Sequence, residues 1–267
     1  MINLNKIAKA LIYKDVKDIT SSKQVLIPMI IVPLIFVIIF PTIVLLFLHF
    51  SPDSVKTLKD FDSLISKLPQ TYKTLTTEQM VLTILTNYLF PSFFLLIPIM
   101  CSTLLGASSF VGEKEHKTME TLLYTPISME ELFKAKLLGV FIPTYVITLM
   151  CSIIFGIIIN IGGLLYFHKL IFPNIKWILL ILYLTPAVAI LGLTFTILIS
   201  AKSKTFQEAQ QLAGLIVLPI ILLVIGQITG ILLLTNMVLI IIGTIILIID
   251  YILLQKIAKN FTAENLI

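Results

Sequence analysis

Arginine is absent from this chain, and charged residues of all kinds make up only 12% of its 267 positions. A soluble domain is about 25% charged and close to half apolar, whereas this chain is 58% hydrophobic. Lysine carries all of the positive charge, which argues against a nucleic-acid-binding protein because such proteins favour the bidentate contacts of arginine. The composition therefore predicts an integral membrane protein.

The residue types of common catalytic and metal centres are scarce or badly spaced. Cys101 and Cys151 lie inside apolar runs and form neither a Cys-x-x-Cys pair nor a metal-binding spacing. The three histidines, His49, His116 and His168, are far apart in the sequence. No Gly-x-x-x-x-Gly-Lys-Ser/Thr loop occurs, so the chain has no recognisable nucleotide-binding motif. We expect no catalytic residue, metal site or cofactor-binding site in this chain.

Six apolar runs dominate the sequence, each near the roughly 20 residues that a helix needs to cross the hydrocarbon core of a bilayer. We therefore expect an all-α integral membrane protein with six transmembrane helices. The first run is too long for the core of a signal peptide and should remain as an anchor. Only Thr235 and Asn236 separate the last two runs, which predicts a tight turn. The predicted spans are Val25–Leu48, Val81–Ser109, Leu137–Ile161, Trp177–Ser200, Leu212–Leu234 and Met237–Leu254.

The distribution of lysine predicts the orientation of the spans. Thirteen of the nineteen lysines fall on the same side of the membrane as both termini, and the positive-inside rule places that side in the cytoplasm. Residues 1–24 have apolar side chains at helical spacing with lysines between them, which is typical of an amphipathic helix in the membrane surface; the alternative is a juxtamembrane helix without a partner. Residues 25–267 form the six-span domain, and the external loop over residues 49–80 has the spacing of a short helix.

Ionisable side chains are missing from the interiors of the predicted spans, and Asp250 comes closest, in the last turn of span six. Carriers driven by a proton or sodium gradient usually keep such a residue at membrane depth, so its absence argues against a self-sufficient secondary transporter. Neutral polar side chains in and beside the spans have two interpretations: they form hydrogen bonds between helices or lie in the headgroup region, or they line a pathway or gate. The pathway candidates are Asn87, Tyr88, Gln207, Gln210, Gln211 and Gln227.

One dense block of mixed charge, residues 110–136, separates spans two and three. Glu113 to Tyr124 has a helical pattern with charges on one side, and Pro126 ends that helix. Ser128 and Glu131 then form a capping box that starts the next helix. The block is either a solvated face without a partner or a docking surface on which complementary charge fixes the register of a soluble protein.

Two stretches of the chain resemble a known family. The run FVGEKEHKTMETLLYTPIS, which begins at Phe110, together with Glu131, Leu132 and Lys136, is similar to the signature loop of ABC type-2 permeases. It departs from the family pattern at His116-Lys117, where a basic residue followed by glycine is common. The segment 200–211 resembles the loop between spans four and five in the sodium- and drug-exporter branch. In that segment Thr205 and Glu208 predict a second capping box.

The resemblance implies the permease subunit of an ATP-driven exporter. In that family the loop between spans two and three contains a coupling helix that docks on a separate ATPase subunit, and two permeases enclose the pathway. ATP and Mg²⁺ would belong to the ATPase, and this chain would hold no cofactor. Glu113 and Glu115 are expected to contact the ATPase, supported by Glu120. The full set of coupling residues carried over is Gly112, Glu113, Lys114, Glu115, Thr118, Glu120, Thr125, Pro126 and Ser128.

The expected partners are a pair of ABC-class ATPase subunits, a second permease copy or paralogue, and the lipid bilayer of a prokaryotic plasma membrane; no nucleic acid is expected. Two other functions stay open from the sequence. One is a secondary carrier or channel that acts alone, and the other is a membrane immunity or scaffold protein that transports nothing. The cargo classes compatible with an exporter are sodium, peptides, antibiotics and lipids.

Overall fold

The computed structural model describes residues 22–50, 75–116 and 128–260, together with Ala10, Tyr13, Lys14, Lys17 and Thr118. In this part of the chain no residue is in a β-strand, and six helices are long and apolar enough to cross a membrane. Helices suit this role because all of their backbone hydrogen bonds are made within the segment. The predicted all-α fold with six spans is confirmed. The helices are α1 (Lys23–Phe50), α2 (Thr77–Glu115), α3 (Met129–Phe167), α4 (Ile175–Ser200), α5 (Phe206–Ile228) and α6 (Asn236–Asn260).

Helix α2 is the centre of the bundle. In its most apolar 18-residue stretch 89% of the residues are buried, against 17% in both α1 and α6. Helices α1, α3 and α4 all pack against α2, and α6 packs against α4. The outward side chains of α1 and α6 are mostly isoleucine and leucine, such as Ile30, Ile38, Ile241 and Ile248. Such surfaces are as apolar as lipid tails and suit contact with the bilayer.

Small residues allow α2 and α4 to lie close together. A Cβ atom at Gly192 of α4 would lie 2.2 Å from Ser102 Oγ and 3.2 Å from the backbone oxygen of Ile99, both on α2. A Cβ atom at Gly106 of α2 would lie 3.2 Å from Thr196 Cγ2 of α4. Close backbone approach at small residues is a main source of helix association inside membranes, where the hydrophobic effect between helices is absent.

Three spans widen locally into a π-helical turn just before a proline. These turns are Leu34–Ile39 in α1, Leu85–Leu89 in α2 and Leu180–Leu184 in α4, and the prolines that follow them are Pro41, Pro91 and Pro186. A proline ring in a helix clashes with the carbonyl four residues earlier, and the proline has no N–H to donate. A wider turn before the proline relieves this clash, so these helices continue across the membrane where a regular α-helix would kink or break.

Two predicted boundaries differ from the structure. Helix α5 ends at Ile228, and residues 229–235 connect it to α6, because Gly230 adopts a left-handed φ of 66° that terminates the helix. The predicted two-residue turn is therefore wrong. Helix α2 continues without a break to Glu115, so Glu113 lies in its last turn and does not begin a separate helix.

Two other predicted features fall mainly outside the described residues. These are the external loop between residues 51 and 74 and the surface helix within residues 1–24. Of the latter, Ala10, Tyr13, Lys14 and Lys17 are described, and all four are helical.

Replacing Gly192 by leucine should separate α2 from α4, because the new side chain would meet the fixed backbone at Ile99 as well as Ser102. Overpacking of a close contact typically costs about 1–3 kcal/mol. We expect a lower melting temperature in detergent and less protein in the membrane. Gly214→Ala is the matched control, since no atom lies within 4 Å of a Cβ at that position. Equal melting temperatures for the two variants would contradict the close packing of α2 on α4.

Candidate functional site

The charged residues of the described chain are concentrated where α2 ends and α3 begins, which we call the charged end. Ser128 caps α3: its hydroxyl accepts a hydrogen bond from the Glu131 amide at 3.2 Å, and the Glu131 carboxylate accepts one from the Ser128 amide at 3.4 Å. The predicted capping box is confirmed. Two turns further along α3, Lys136 enters the interior of the bundle and meets the last turn of α2.

The Lys136 side chain is only 1% exposed. Its ammonium group donates to the backbone oxygen of Ser109 at 2.7 Å, to Ser109 Oγ at 3.3 Å and to the Glu113 carboxylate, and it lies 5.2 Å from the centre of the Phe110 ring. An ammonium group has three donors, and all three therefore have acceptors. A buried charge is tolerated only when it is paired and hydrogen-bonded in this way.

The Glu113 carboxylate joins two lysines from different parts of the chain. One of its oxygens accepts from Lys136, and the other accepts from Lys14 Nζ at 2.7 Å. Glu113 lies at the C-terminal end of α2, where the helix dipole disfavours an acidic side chain. The two lysines outweigh that effect and hold the N-terminal segment and α3 against the end of α2.

Glu115 makes a second connection, between α2 and α5. Its carboxylate accepts a hydrogen bond at 2.8 Å from the backbone amide of Phe206, the first residue of α5. Thr205 caps the same helix through the Glu208 amide at 3.3 Å, but the Glu208 carboxylate accepts from the Lys204 amide, one residue before the expected partner. Only one of the two hydrogen bonds of the predicted second capping box is therefore present. Glu115 accepts from the amide of Phe206, which has no partner within α5.

A cavity of about 630 Å³ opens at the charged end, among the N-terminal segment, α1, the end of α2 and the start of α5. Its lining includes Lys14, Gln24, Glu115, His116 and Thr118. Acidic, basic and neutral polar groups are mixed along this lining. The cavity offers a soluble partner complementary charges of both signs together with hydrogen-bonding groups.

The structure brings together most of the predicted coupling residues that it describes. Gly112, Glu113, Lys114, Glu115 and Thr118 lie at the end of α2, and Ser128 begins α3. Glu120, Thr125 and Pro126 lie outside the described residues. Glu113 is 8% exposed, and both of its carboxylate oxygens are engaged within the chain. Sequence reasoning missed the roles of Lys14 and Ser109, since nothing in their local pattern shows that they meet Glu113 and Lys136.

The six pathway candidates separate into two groups at opposite ends of the bundle. Gln207, Gln210 and Gln211 lie at the start of α5, near the charged end, and Gln210 borders a small cavity between α1, α2 and α5. Asn87, Tyr88 and Gln227 lie toward the far end. Asn87 accepts hydrogen bonds from Asn174 and Lys176 at 2.7 Å each, and Gln227 is fully buried with neither amide atom hydrogen-bonded.

Helix α6 extends beyond the predicted end of span six. It continues to Asn260, ten residues after Asp250. The Asp250 side chain is 3% exposed. A helix long and apolar enough to cross the membrane therefore contains a buried ionisable residue.

The fold and the charged end together define a multi-pass membrane protein in which three other chain segments are tied to one end of the central helix. A family model described as ABC-2 family transporter protein matches residues 9–263. The chain therefore belongs to the ABC-2 transporter family and is the membrane permease part of an ABC transporter. Permeases of this family are transport components, not enzymes, and normally work with an ATPase subunit. No curated protein and no solved structure matches the chain.

Breaking the pair of Glu113 and Lys136 from one side should be costly, because it leaves the other charge buried. We expect Glu113→Leu to lower the free energy of unfolding by about 3–5 kcal/mol, and Lys136→Met to lower it by less, because Glu113 then keeps Lys14 as a partner. The double variant should lose less than the sum of the two, because neither charge then remains without its partner. Denaturant unfolding of the purified permease in detergent measures these differences.

The exposed pair of Glu130 and Lys134 is the matched control. It lies on the same helix at the same end, but its side chains are 75% and 50% exposed. The variants Glu130→Leu and Lys134→Met, alone and together, should leave the free energy of unfolding close to that of the wild type, because water screens an exposed pair. Fully additive losses for Glu113→Leu and Lys136→Met would show that the two side chains do not act as a pair.

Proposed function

We propose that this chain is the permease subunit of an ABC exporter in which the charged end receives the movements of a separate ATPase subunit. The observation that carries the proposal is the set of contacts at the end of α2. Glu113 binds Lys14 and Lys136, and Glu115 binds the start of α5. A force applied to the segment after Glu115 is thereby transmitted to the N-terminal segment, α3 and α5 as well as to α2.

The partner is needed because the sequence contains no phosphate-binding loop. The energy of transport must then enter through a surface, and the charged end offers charged and polar groups for such a contact. In this proposal the charged end faces the cytoplasm, as expected from the thirteen lysines on that side. Both termini are then cytoplasmic, and we take the membrane to be the plasma membrane.

Residues whose side chains remain outward carry the docking in this proposal. His116 and Thr118 are exposed, and Lys114 is half-buried with its amine outside the Glu113 cluster. Glu120, Thr125 and Pro126 belong to the same segment and stay part of the proposed surface. Glu113 has a different role here from the one expected from the sequence, because it holds the docking segment to the spans. Glu115 is exposed and stays part of the proposed surface while it also binds the start of α5.

Two permeases would enclose the pathway. The polar groups at the two ends of the bundle, Gln210 near the charged end and Asn87 and Gln227 near the far end, would then act as gates for a cargo that crosses between the copies. The main alternative is a secondary carrier or channel that acts alone. Asp250 favours this alternative, because carriers driven by an ion gradient use buried acidic residues to bind the ion.

Purification in mild detergent tests the assembly. We expect a soluble ABC-class ATPase to copurify with the permease, in a complex of two permeases and two ATPases. Vesicles that contain this complex should transport cargo only when ATP is supplied. A permease that purifies without an ATPase in several mild detergents, or transport that runs on an ion gradient without ATP, would overturn the proposal in favour of a carrier or a non-transporting protein.

Charge reversal tests the docking surface separately. The double variant Lys114→Glu/His116→Glu should keep the permease at normal abundance, since neither side chain joins the buried cluster, but should weaken retention of the copurifying ATPase at least tenfold, or about 1.4 kcal/mol. Lys202→Glu/Lys204→Glu is the control, because both lysines are exposed at the same end between α4 and α5. Equal ATPase retention by the two double variants would remove Lys114 and His116 from the docking surface.

A further inference from the structure

Asp250 is the buried acid that the coupling contacts do not use. It lies in α6 eight residues before Ala258, or about 12 Å along the helix axis. The side chain is 3% exposed, and neither carboxyl oxygen has a hydrogen-bond partner. The carboxyl group is thus removed from water without a hydrogen bond in its place, which strongly disfavours an ionised form.

No cation among the described residues reaches Asp250. Helix α6 packs mainly on α4, where the titratable side chains are Lys176 and Tyr183. Lys176 donates to the backbone oxygen of Asn87, and Tyr183 forms a hydrogen bond of 2.8 Å with Thr244 of α6, both toward the far end. On α6 itself Tyr251 and Lys256 are exposed. None of these groups neutralises the carboxyl group.

The nearest span does not supply a donor. The hydroxyl of Thr194 on α4 donates to the backbone oxygens of Ile190 and Leu191 of its own helix, at 3.0 Å each. Because neither carboxyl oxygen of Asp250 accepts a hydrogen bond, no described group stabilises the ionised form, and these surroundings suit the neutral acid.

A bound metal cation suits this surrounding less well. A cation stripped of water takes about six oxygen ligands, whereas no polar atom of the described residues is hydrogen-bonded to the carboxyl group. We propose that Asp250 is a proton-binding site inside the membrane domain, with the proton held on its carboxyl group in this conformation, in which α6 packs against α4. The proton can leave only when α6 moves away from α4 far enough to admit water. Proton occupancy is thereby coupled to the position of α6.

Infrared spectroscopy of the purified permease in lipid, near neutral pH, tests this site. The wild-type protein should show the carbonyl stretching band of a protonated carboxylic acid. The band should shift when the chain is made with aspartate labelled with ¹³C at the carboxyl carbon, and it should be lost in Asp250→Asn. Glu130→Gln, which removes an exposed acid, should keep the band.

Labelling of the wild-type chain keeps the test valid even if Asp250→Asn fails to fold. A labelled wild-type spectrum without any protonated aspartate band would overturn the proposal. Thermal unfolding tests the competing possibility of a metal cation. A metal cation in place of the proton would give the wild type a higher melting temperature in NaCl or KCl than in choline chloride, and Asp250→Asn would not show this difference. Melting temperatures that do not depend on the cation, together with the band, support the proton site.

Discussion

The buried carboxylate of Glu113 is the interaction on which the arrangement of the charged end depends. It sits between Lys14 and Lys136, and Lys136 is nearly inaccessible to solvent. Taking such charges out of water costs several kcal/mol per ion, so a buried pair adds little net stability, although removal of one member is destabilising. The cluster therefore determines how the helices are positioned more than how stable they are. It fixes which turn of α2 meets which turn of α3, because a shift of either helix would leave a charge in an apolar surrounding.

The same end of α2 also holds the start of α5 through Glu115, so four segments of the chain share one attachment point. Farther from this point the contacts become apolar and depend on small residues, as where Gly192 meets Ser102. The wide turns before Pro41, Pro91 and Pro186 divide the spans into upper and lower halves. A rigid charged end joined to spans with such local irregularities allows movement of one end to change the packing in the middle of the membrane.

Most of the fold could be predicted from the sequence because hydrocarbon permits so few solutions. Six apolar runs of sufficient length required six helices, and the caps at Ser128 and Thr205 placed two of their starts. The end of α5 was missed because residues 231–234 are as apolar as a span, and the glycine at position 230 was the signal that outweighed them. For the site, the sequence showed where charge is concentrated but not which way it faces. Glu113 and Lys114 are adjacent and equally polar, yet only Glu113 is turned into the bundle, because its partner Lys136 is two turns inside a different helix.

Two acids are buried in this one chain, and their surroundings differ in a way that separates their roles. Glu113 has a lysine on each oxygen, so its charge is compensated and its position is fixed. Asp250 has no cation within reach among the described residues, and it lies on α6, where few side chains are held by other spans. A compensated charge is a suitable anchor, because moving it exposes two unpaired ions. An uncompensated acid on a peripheral helix is suited to change its protonation instead, because a small movement of α6 decides whether water reaches it. The argument from sequence against a secondary transporter relied on spans without ionisable side chains, and the burial of Asp250 within α6 weakens that argument.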